Sequence, residues 1–225
     1  FSNISIIGNT IRTTGSGLGI YSVFPFERSN ISYNRFVTAG TAIQIFRGFI
    51  DGFVGYNNAS SSFAFVNMSG TTVTNNLINT SAMPVLMSIT GSSSSNNSIS
   101  YNTLLSSFNV GQPRGIALIA NGSRIEHNVI NMTGTSPVSV FGIATNSPSE
   151  NVIIFNNTIQ ISGNNNVTGI RLNSMNYSNC TSNNIFATGT DSLGIWIGTA
   201  VGNRIESNLI RARGSYLISS SSSNN

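Results

Sequence analysis

The hexapeptide Ile125-Glu126-His127-Asn128-Val129-Ile130 decides the fold, because its pattern of residue types recurs along almost the whole chain. The pattern is an apolar residue, two variable residues, an asparagine, one variable residue and a second small or apolar residue. Successive asparagines lie 19 to 29 residues apart, most often 25 or 26. Repeats of roughly 20–50 residues are typical of solenoids. The pattern occurs nine times, with its asparagine at Asn9, Asn34, Asn57, Asn76, Asn102, Asn128, Asn157, Asn183 and Asn208.

Each repeat also carries a further apolar strand 9 to 15 residues after its asparagine, often introduced by Gly-Ile as in Gly142-Ile143. Alternation in short runs such as Ile195-Trp196-Ile197 indicates strands with one buried face. No stretch shows the i, i+3, i+4, i+7 spacing of a capped helix. One repeat is too short to bury its own apolar face, whereas stacked repeats bury it between parallel strands.

The sequence therefore predicts an all-β fold, a single-stranded right-handed parallel β-helix of about nine coils. Left-handed β-helices are built from hexapeptide units with a period of roughly 18 residues, and that period is absent. A variable period near 25 fits the right-handed form, whose loops tolerate insertions. Residues 1–225 are predicted to form one domain.

The recurring asparagine has two physical explanations in this geometry. A tight bend between two sheets favours a residue that tolerates left-handed backbone dihedrals, and asparagine is the commonest choice after glycine. Its amide also carries donors and an acceptor, so stacked asparagines can satisfy one another while buried. We therefore predict that the nine asparagines form an internal ladder at one turn.

The nine signatures and the Gly-Ile strands, spread over residues 6 to 218, resemble the right-handed parallel β-helix repeat family. That scaffold is shared by pectate lyases, polygalacturonases, phage tailspikes and many cell-surface proteins. The resemblance implies the fold but not one function, because the scaffold carries lyases, hydrolases, adhesins and inert shafts alike.

The composition narrows the possible classes. Only 7% of the 225 residues are charged, with 10 arginines and no lysine, whereas 33 are asparagine and 57 are serine or threonine. Such a chain is neither a charged disordered tail nor a coiled coil. Its longest apolar runs are strand-sized, so no transmembrane helix is expected. The arginines are scattered, which argues against a nucleic-acid partner.

The six acidic residues do not form the pairs that a carbohydrate-active enzyme requires. Such enzymes need carboxylates about 5–10 Å apart across the scissile bond, and no two acids here share a position in adjacent coils. Glu126 and Glu206 share a position but lie three coils apart. Each follows an arginine by two residues, Arg124 and Arg204, which predicts two exposed ion pairs. The acids are Glu27, Asp51, Glu126, Glu150, Asp191 and Glu206.

His127 and Cys180 are each the only residue of their type, and neither has sequence neighbours suited to metal binding or nucleophilic catalysis. We interpret His127 as a solvated turn residue. Cys180 occupies the apolar slot of its repeat and is interpreted as a buried small hydrophobe. The sequence thus predicts no catalytic residue, no metal site and no cofactor.

Two features favour a secreted or cell-surface protein: twelve Asn-x-Ser/Thr sequons and the lack of lysine. We expect N-glycans preferentially in inter-strand loops, at Asn67, Asn121, Asn131 and Asn166. Asn156 is a poorer acceptor because it lies against the signature turn.

The chain begins and ends within its pattern, and a solenoid needs its end strands covered. The expectation from this is a segment of a longer solenoid, or a protomer whose ends pair with neighbouring segments or protomers.

A binding face is predicted on the second apolar strand. If Ile195 and Ile197 point inward, Trp196 points outward, and Arg171 occupies the same phase one coil earlier. The two side chains should then meet for cation–π stacking and offer a platform for a polysaccharide or glycan. The leading prediction is a non-catalytic extracellular structural or adhesive module that is glycosylated and contacts glycans. The alternative is a carbohydrate-active β-helix enzyme or a tailspike-like depolymerase.

Overall fold

The computed structural model is an all-β parallel solenoid of about eight turns, without a helix in the part of the chain it describes. The described residues are 1–81, 85–109, 111–135, 139–145, 148–213 and, for the backbone only, 216–220. Three nine-stranded sheets run along the solenoid, and each strand pairs in parallel with its counterpart one turn away. The predicted fold class is confirmed. No helix in this part of the chain is long and apolar enough to cross a membrane.

Sheet 1 contains the strand that precedes each signature asparagine. Its strands have three residues each, because the chain turns sharply on both sides. They are Ser5–Ile7, Asn30–Ser32, Phe53–Gly55, Thr72–Thr74, Ser98–Ser100, Arg124–Glu126, Ile153–Phe155, Asn179–Thr181 and Arg204–Glu206.

Sheet 2 contains the strand that follows each signature asparagine, so the signature spans the bend between sheets 1 and 2. Its strands are Thr10–Arg12, Arg35–Val37, Asn58–Ala59, Leu77–Thr80, Thr103–Phe108, Val129–Gly134, Thr158–Ser162, Asn184–Thr188 and Leu209–Ala212.

Sheet 3 contains the further apolar strand of each repeat. Its strands are Ile20–Ser22, Ile43–Ile45, Phe63–Val66, Val85–Thr90, Arg114–Leu118, Val140–Thr145, Val167–Leu172, Ser192–Ile197 and Tyr216–Ser220. Two-residue strands complete some turns between sheets 3 and 1, at Phe26–Glu27, Phe49–Ile50, Met68–Ser69, Ser149–Glu150 and Met175–Asn176.

The core lies inside the solenoid and is built from stacked rows of equivalent residues. In sheet 1, Ile99 pairs with Ile125 and Ile125 with Ile154, and all three are fully buried. Aromatic rings fill the interior of the earlier turns, where Phe49 lies 6.1 Å from Phe26 and 5.9 Å from Phe65 between ring centroids. Burial of these side chains supplies the main stabilising term, about 1.5–3 kcal/mol for each one.

The predicted asparagine ladder runs through all nine signatures. The amide of Asn128 shows the pattern: its Nδ2 donates to Asn157 Oδ1 at 3.0 Å and to the Ile99 carbonyl at 2.9 Å. Its Oδ1 accepts from both the backbone N–H and Nδ2 of Asn102. Equivalent side-chain bonds join every successive pair from Asn9 to Asn208. Each interior amide is therefore satisfied in a region without water.

The prediction that the signature asparagine itself adopts left-handed backbone dihedrals is wrong. None of the nine ladder asparagines has a positive φ. The left-handed residue is the one before each, for example Tyr56 at 57° and His127 at 57°. The asparagine is therefore required for its amide hydrogen bonds, and the preceding residue carries the backbone bend.

A second row of polar side chains lies five residues before the ladder, at the opposite end of sheet 1. There the Thr71 backbone N–H donates to Asn97 Oδ1 at 3.2 Å, and the Asn97 N–H donates to Ser123 Oγ at 3.1 Å. Ser178 and Asn203 repeat the arrangement at 3.0 Å. These side chains satisfy backbone groups at the turn into sheet 1, where buried N–H groups need a partner.

Candidate ligand-binding groove on sheet 3

Two outward-facing rows of side chains run along the outer surface of sheet 3. Arg171 lies between buried Ile170 and Leu172, so strand alternation places its side chain on the outside. It pairs in register with Trp196 of the next turn. Phe141 and Arg114, which pair with each other in register, belong to the second outer row.

These rows bring cations and aromatic rings together over four consecutive turns. The guanidinium carbon of Arg171 is 5.0 Å from the Trp196 ring centroid and 4.9 Å from that of Phe141. Arg114 approaches Phe141 from the preceding turn at 5.9 Å. Arginine and aromatic side chains thus alternate along the axis in the order Arg114, Phe141, Arg171, Trp196. Cation–π contacts of this kind contribute about 0.5–2 kcal/mol each.

The sequence predicted the contact between Arg171 and Trp196, and the structure confirms its geometry; that it binds a ligand remains a prediction. Trp196 is half-buried rather than fully exposed, and its ring covers Gly198, where a Cβ would lie 2.6 Å from Trp196 Cη2. Phe141 and Arg114 were missed. The signal was present, since both directly precede a Gly-Ile pair, the position that forms the second outer row.

The electrostatics of the groove are dominated by two like charges. Burial lowers the pKa of the Arg171 guanidinium, and burial followed by the Arg171 charge lowers the pKa of Arg114. Arginine side chains nevertheless stay protonated at neutral pH. The two cations therefore repel each other across Phe141 in partly desolvated surroundings.

A groove of about 320 Å³ opens beside these side chains. Hydroxyl and amide groups line it together with apolar surface, and no carboxylate is among its described lining residues. Such a mixture can hydrogen-bond sugar hydroxyls while a ring packs on the aromatic face. The lining residues are Ser139, Phe141, Asn166, Thr168, Arg171, Leu193 and Trp196.

The predicted glycan acceptors fall in different surroundings. Asn67, Asn121 and Asn166 lie between strands, as expected, but Asn131 lies within the sheet 2 strand Val129–Gly134 and not in a loop. Asn121 is exposed, and its Oδ1 accepts from the Glu150 backbone N–H. Asn166 is exposed and lines the groove itself. Use of these sequons stays a prediction.

Two acidic residues form the predicted ion pairs on the outer face of sheet 1. Arg124 contacts Glu126 at 2.8 Å and Arg204 contacts Glu206 at 2.6 Å. The strand register places the two pairs three turns apart. Within the described ranges, no group of three or more His, Cys, Asp and Glu side chains is arranged to hold a metal ion.

His127 lies at the turn, as predicted, with a φ of 57°, but it is half-buried rather than solvated. Its ring stacks on Tyr101 at 4.8 Å between centroids and meets the edge of Phe155 at 5.5 Å. Its Nδ1 is buried and has no hydrogen-bond partner among the described residues. His127 is a half-buried member of an aromatic stack, because adjacent turns bring their left-handed positions into contact.

Cys180 is the buried small hydrophobe predicted, and its thiol should be inert. Burial raises the pKa of the Cys180 thiol from its usual 9.0 to about 12, against a smaller lowering by the Asn183 amide, which donates to Sγ. We expect no alkylation by iodoacetamide at about pH 8, since the thiolate is the nucleophile, and full alkylation in denaturant. Because the pKa of Cys180 is higher in the folded than in the unfolded chain, its contribution to the free energy of unfolding should be fully present below pH 9. That contribution should fall as the pH rises towards 12. Rapid alkylation of the folded protein would contradict the burial.

Comparisons of the chain with protein-family models, with curated proteins and with solved structures found no match. The fold therefore rests on the register of the parallel strands, and the proposed function rests on the geometry of the groove.

Proposed function

We propose that the chain is a non-catalytic structural or adhesive module of the cell exterior that binds polysaccharide in the sheet 3 groove. The observation that carries this proposal is the alternation of Arg114, Phe141, Arg171 and Trp196 over four turns. A solenoid repeats its surface along one axis, as a polysaccharide does. Phe141 is buried between the guanidinium groups of Arg114 and Arg171 and is only 5% exposed, so the half-buried ring of Trp196 is the one on which a sugar unit can pack.

The chemistry of the groove supports a sugar ligand. An aromatic face packs against the C–H surface of a sugar ring, and the Ser139 hydroxyl and the exposed Asn166 amide are suited to its hydroxyls. As part of the proposal we assign the chain to the cell-surface members of the right-handed parallel β-helix repeat family. The nine repeats and the parallel stacking support this assignment. The alternative of a hydrolase gains no support from Glu126 and Glu206, which lie three turns apart.

The exterior location is supported by the composition and by the sequons. N-glycans at Asn67, Asn121, Asn131 and Asn166 belong to the proposal. Asn166 lines the groove, so in this proposal only molecules without a glycan on Asn166 bind polysaccharide there. Binding is therefore best measured on protein made in a bacterial host that does not attach N-glycans.

Replacing Trp196 with alanine is expected to weaken polysaccharide binding by about tenfold or more, because the ring supplies much of the contact surface. The measurement is affinity electrophoresis and titration calorimetry against dextran, dextran sulfate, alginate and carboxyl-reduced alginate. Phe186→Ala is the control, since Phe186 is a 43% exposed ring on the outer face of sheet 2. Equal binding by the wild type and the Trp196→Ala variant, or no binding by the wild type to any polymer, would refute the groove as a polysaccharide site.

A further inference from the structure

The Arg171 guanidinium is held in an unusual position for a surface cation. Phe141 lies against it from the preceding turn and Trp196 from the following turn, at 4.9 and 5.0 Å. Aromatic rings on both sides restrain the long side chain, which lowers the entropy lost when a ligand binds. The N–H groups at the edge of the guanidinium remain available, because Arg171 makes no side-chain hydrogen bond or ion pair with another described residue.

Those edge N–H groups have a geometry that fits an anion. A guanidinium presents parallel donors that match the two oxygens of a carboxylate or sulfate. Within the described ranges the ion pairs involve Arg124 and Arg204, which lie on sheet 1. Asp191, the acidic residue of the same turn as Trp196, is exposed and does not line the groove. Among the described residues that line the groove, the positive charge of Arg171 therefore has no carboxylate beside it.

A second arginine, Arg114, places a further positive charge on the other side of Phe141. Burial, followed by the positive charge of Arg171, lowers the pKa of Arg114, and burial also weakens the hydration of the Arg171 guanidinium. A neutral sugar would hydrogen-bond to these side chains but would leave their mutual repulsion in place. An anionic group offsets the repulsion and makes charge-assisted hydrogen bonds, which are roughly twice as strong as neutral ones.

We infer that the groove selects acidic polysaccharides, with Arg171 holding a carboxylate or sulfate of the polymer edge-on and Arg114 adding to the attraction, while Trp196 packs on a sugar ring. This inference rests on the proposed function. It goes further by naming the chemical class of the ligand and two residues that determine specificity. Free sulfate or acetate would show the same anion chemistry, but without the aromatic contacts it should bind far more weakly.

The test compares polymers that differ only in charge: dextran sulfate with dextran, and alginate with its carboxyl-reduced form. The wild type is expected to bind each charged polymer about tenfold or more tightly than its neutral partner, the ratio that one charge-assisted contact supplies. The preference should shrink at high salt. Arg171→Gln is expected to weaken binding of the charged polymers far more than binding of the neutral ones, so that most of the preference is lost. Arg171→Lys should restore only part of it, because lysine keeps the charge but not the planar fork.

Arg35→Gln is the matched control, since Arg35 is exposed on the outer face of sheet 2 and lies outside the groove. An equal loss in this variant would mean that net charge attracts the polymer, and would overturn the inference. Equal binding of charged and neutral polymers would also overturn it but leave the proposed function standing. No binding to any polymer would refute both. Tighter binding of polyglutamate than of any polysaccharide would assign the groove to acidic peptides instead. Thermal unfolding of each variant checks that the solenoid is intact.

Discussion

Replacing Asn128 with leucine is expected to lower the free energy of unfolding by about 3–5 kcal/mol. Leucine fills a similar volume but removes a fully buried amide that hydrogen-bonds to four residues: Asn102, Asn157, Ile99 and Glu126. The Asn102 backbone N–H and one N–H of its Nδ2 lose their acceptor, and the Ile99 carbonyl loses a donor. Each buried polar group left unpaired costs about 1–3 kcal/mol. Urea unfolding followed by circular dichroism measures the change.

Asn184→Leu is the matched control for this substitution. Asn184 belongs to the sheet 2 strand that follows the ladder position Asn183, and it is exposed on the outer face. The same chemical change there should alter stability by less than about 0.5 kcal/mol. Similar losses in both variants would show that the Asn128 side chain is not part of a buried network.

The ladder could be predicted from the sequence because nine asparagines recur at one phase of one apolar pattern. The residues that form the bend beside the ladder could not be predicted in this way. The left-handed position one residue earlier is occupied by Tyr33, Tyr56, Tyr101 and His127 in four turns, with φ of 56–57°. Bulky residues disfavour this conformation locally, so local propensity argues against them. Stacking between neighbouring turns, 4.8 Å between the Tyr33 and Tyr56 rings, compensates for the strain and appears only in three dimensions.

The second polar row was missed for a different reason. Six of its nine positions carry serine, threonine or asparagine, but those three types make up 90 of the 225 residues, so the row does not stand out. Only part of the groove could be predicted from the sequence. The phase of Trp196 and Arg171 follows from strand alternation. The contact of Arg171 with Phe141 instead joins diagonal neighbours of a twisted sheet, which a row-by-row alignment of repeats does not show.

Replacing Gly142 with alanine is expected to destabilise the solenoid by about 2–3 kcal/mol, the upper part of the range for an overfilled core. A Cβ at Gly142 would lie 2.5 Å from the Gly169 carbonyl oxygen and 2.5 Å from Ile159 Cγ2. The first neighbour is the backbone of the next turn and cannot turn away, so the two turns must separate.

The matched control for Gly142→Ala is Gly163→Ala, since Gly163 also has no positive φ. The three heavy atoms nearest to a Cβ there are two valine methyl groups, at 3.1 and 3.7 Å, and the ring edge of Phe108 at 3.8 Å. These side chains can adjust, and alanine restricts the unfolded chain, so the change should stay within about 0.5 kcal/mol of zero. Differential scanning calorimetry of the two variants and the wild type measures the change in melting temperature. If the Gly142→Ala variant melts at the same temperature as the wild type, sheet 3 does not approach the interior as closely as the Gly-Ile repeat requires. The outward placement of Arg171 and Trp196 then loses its structural basis.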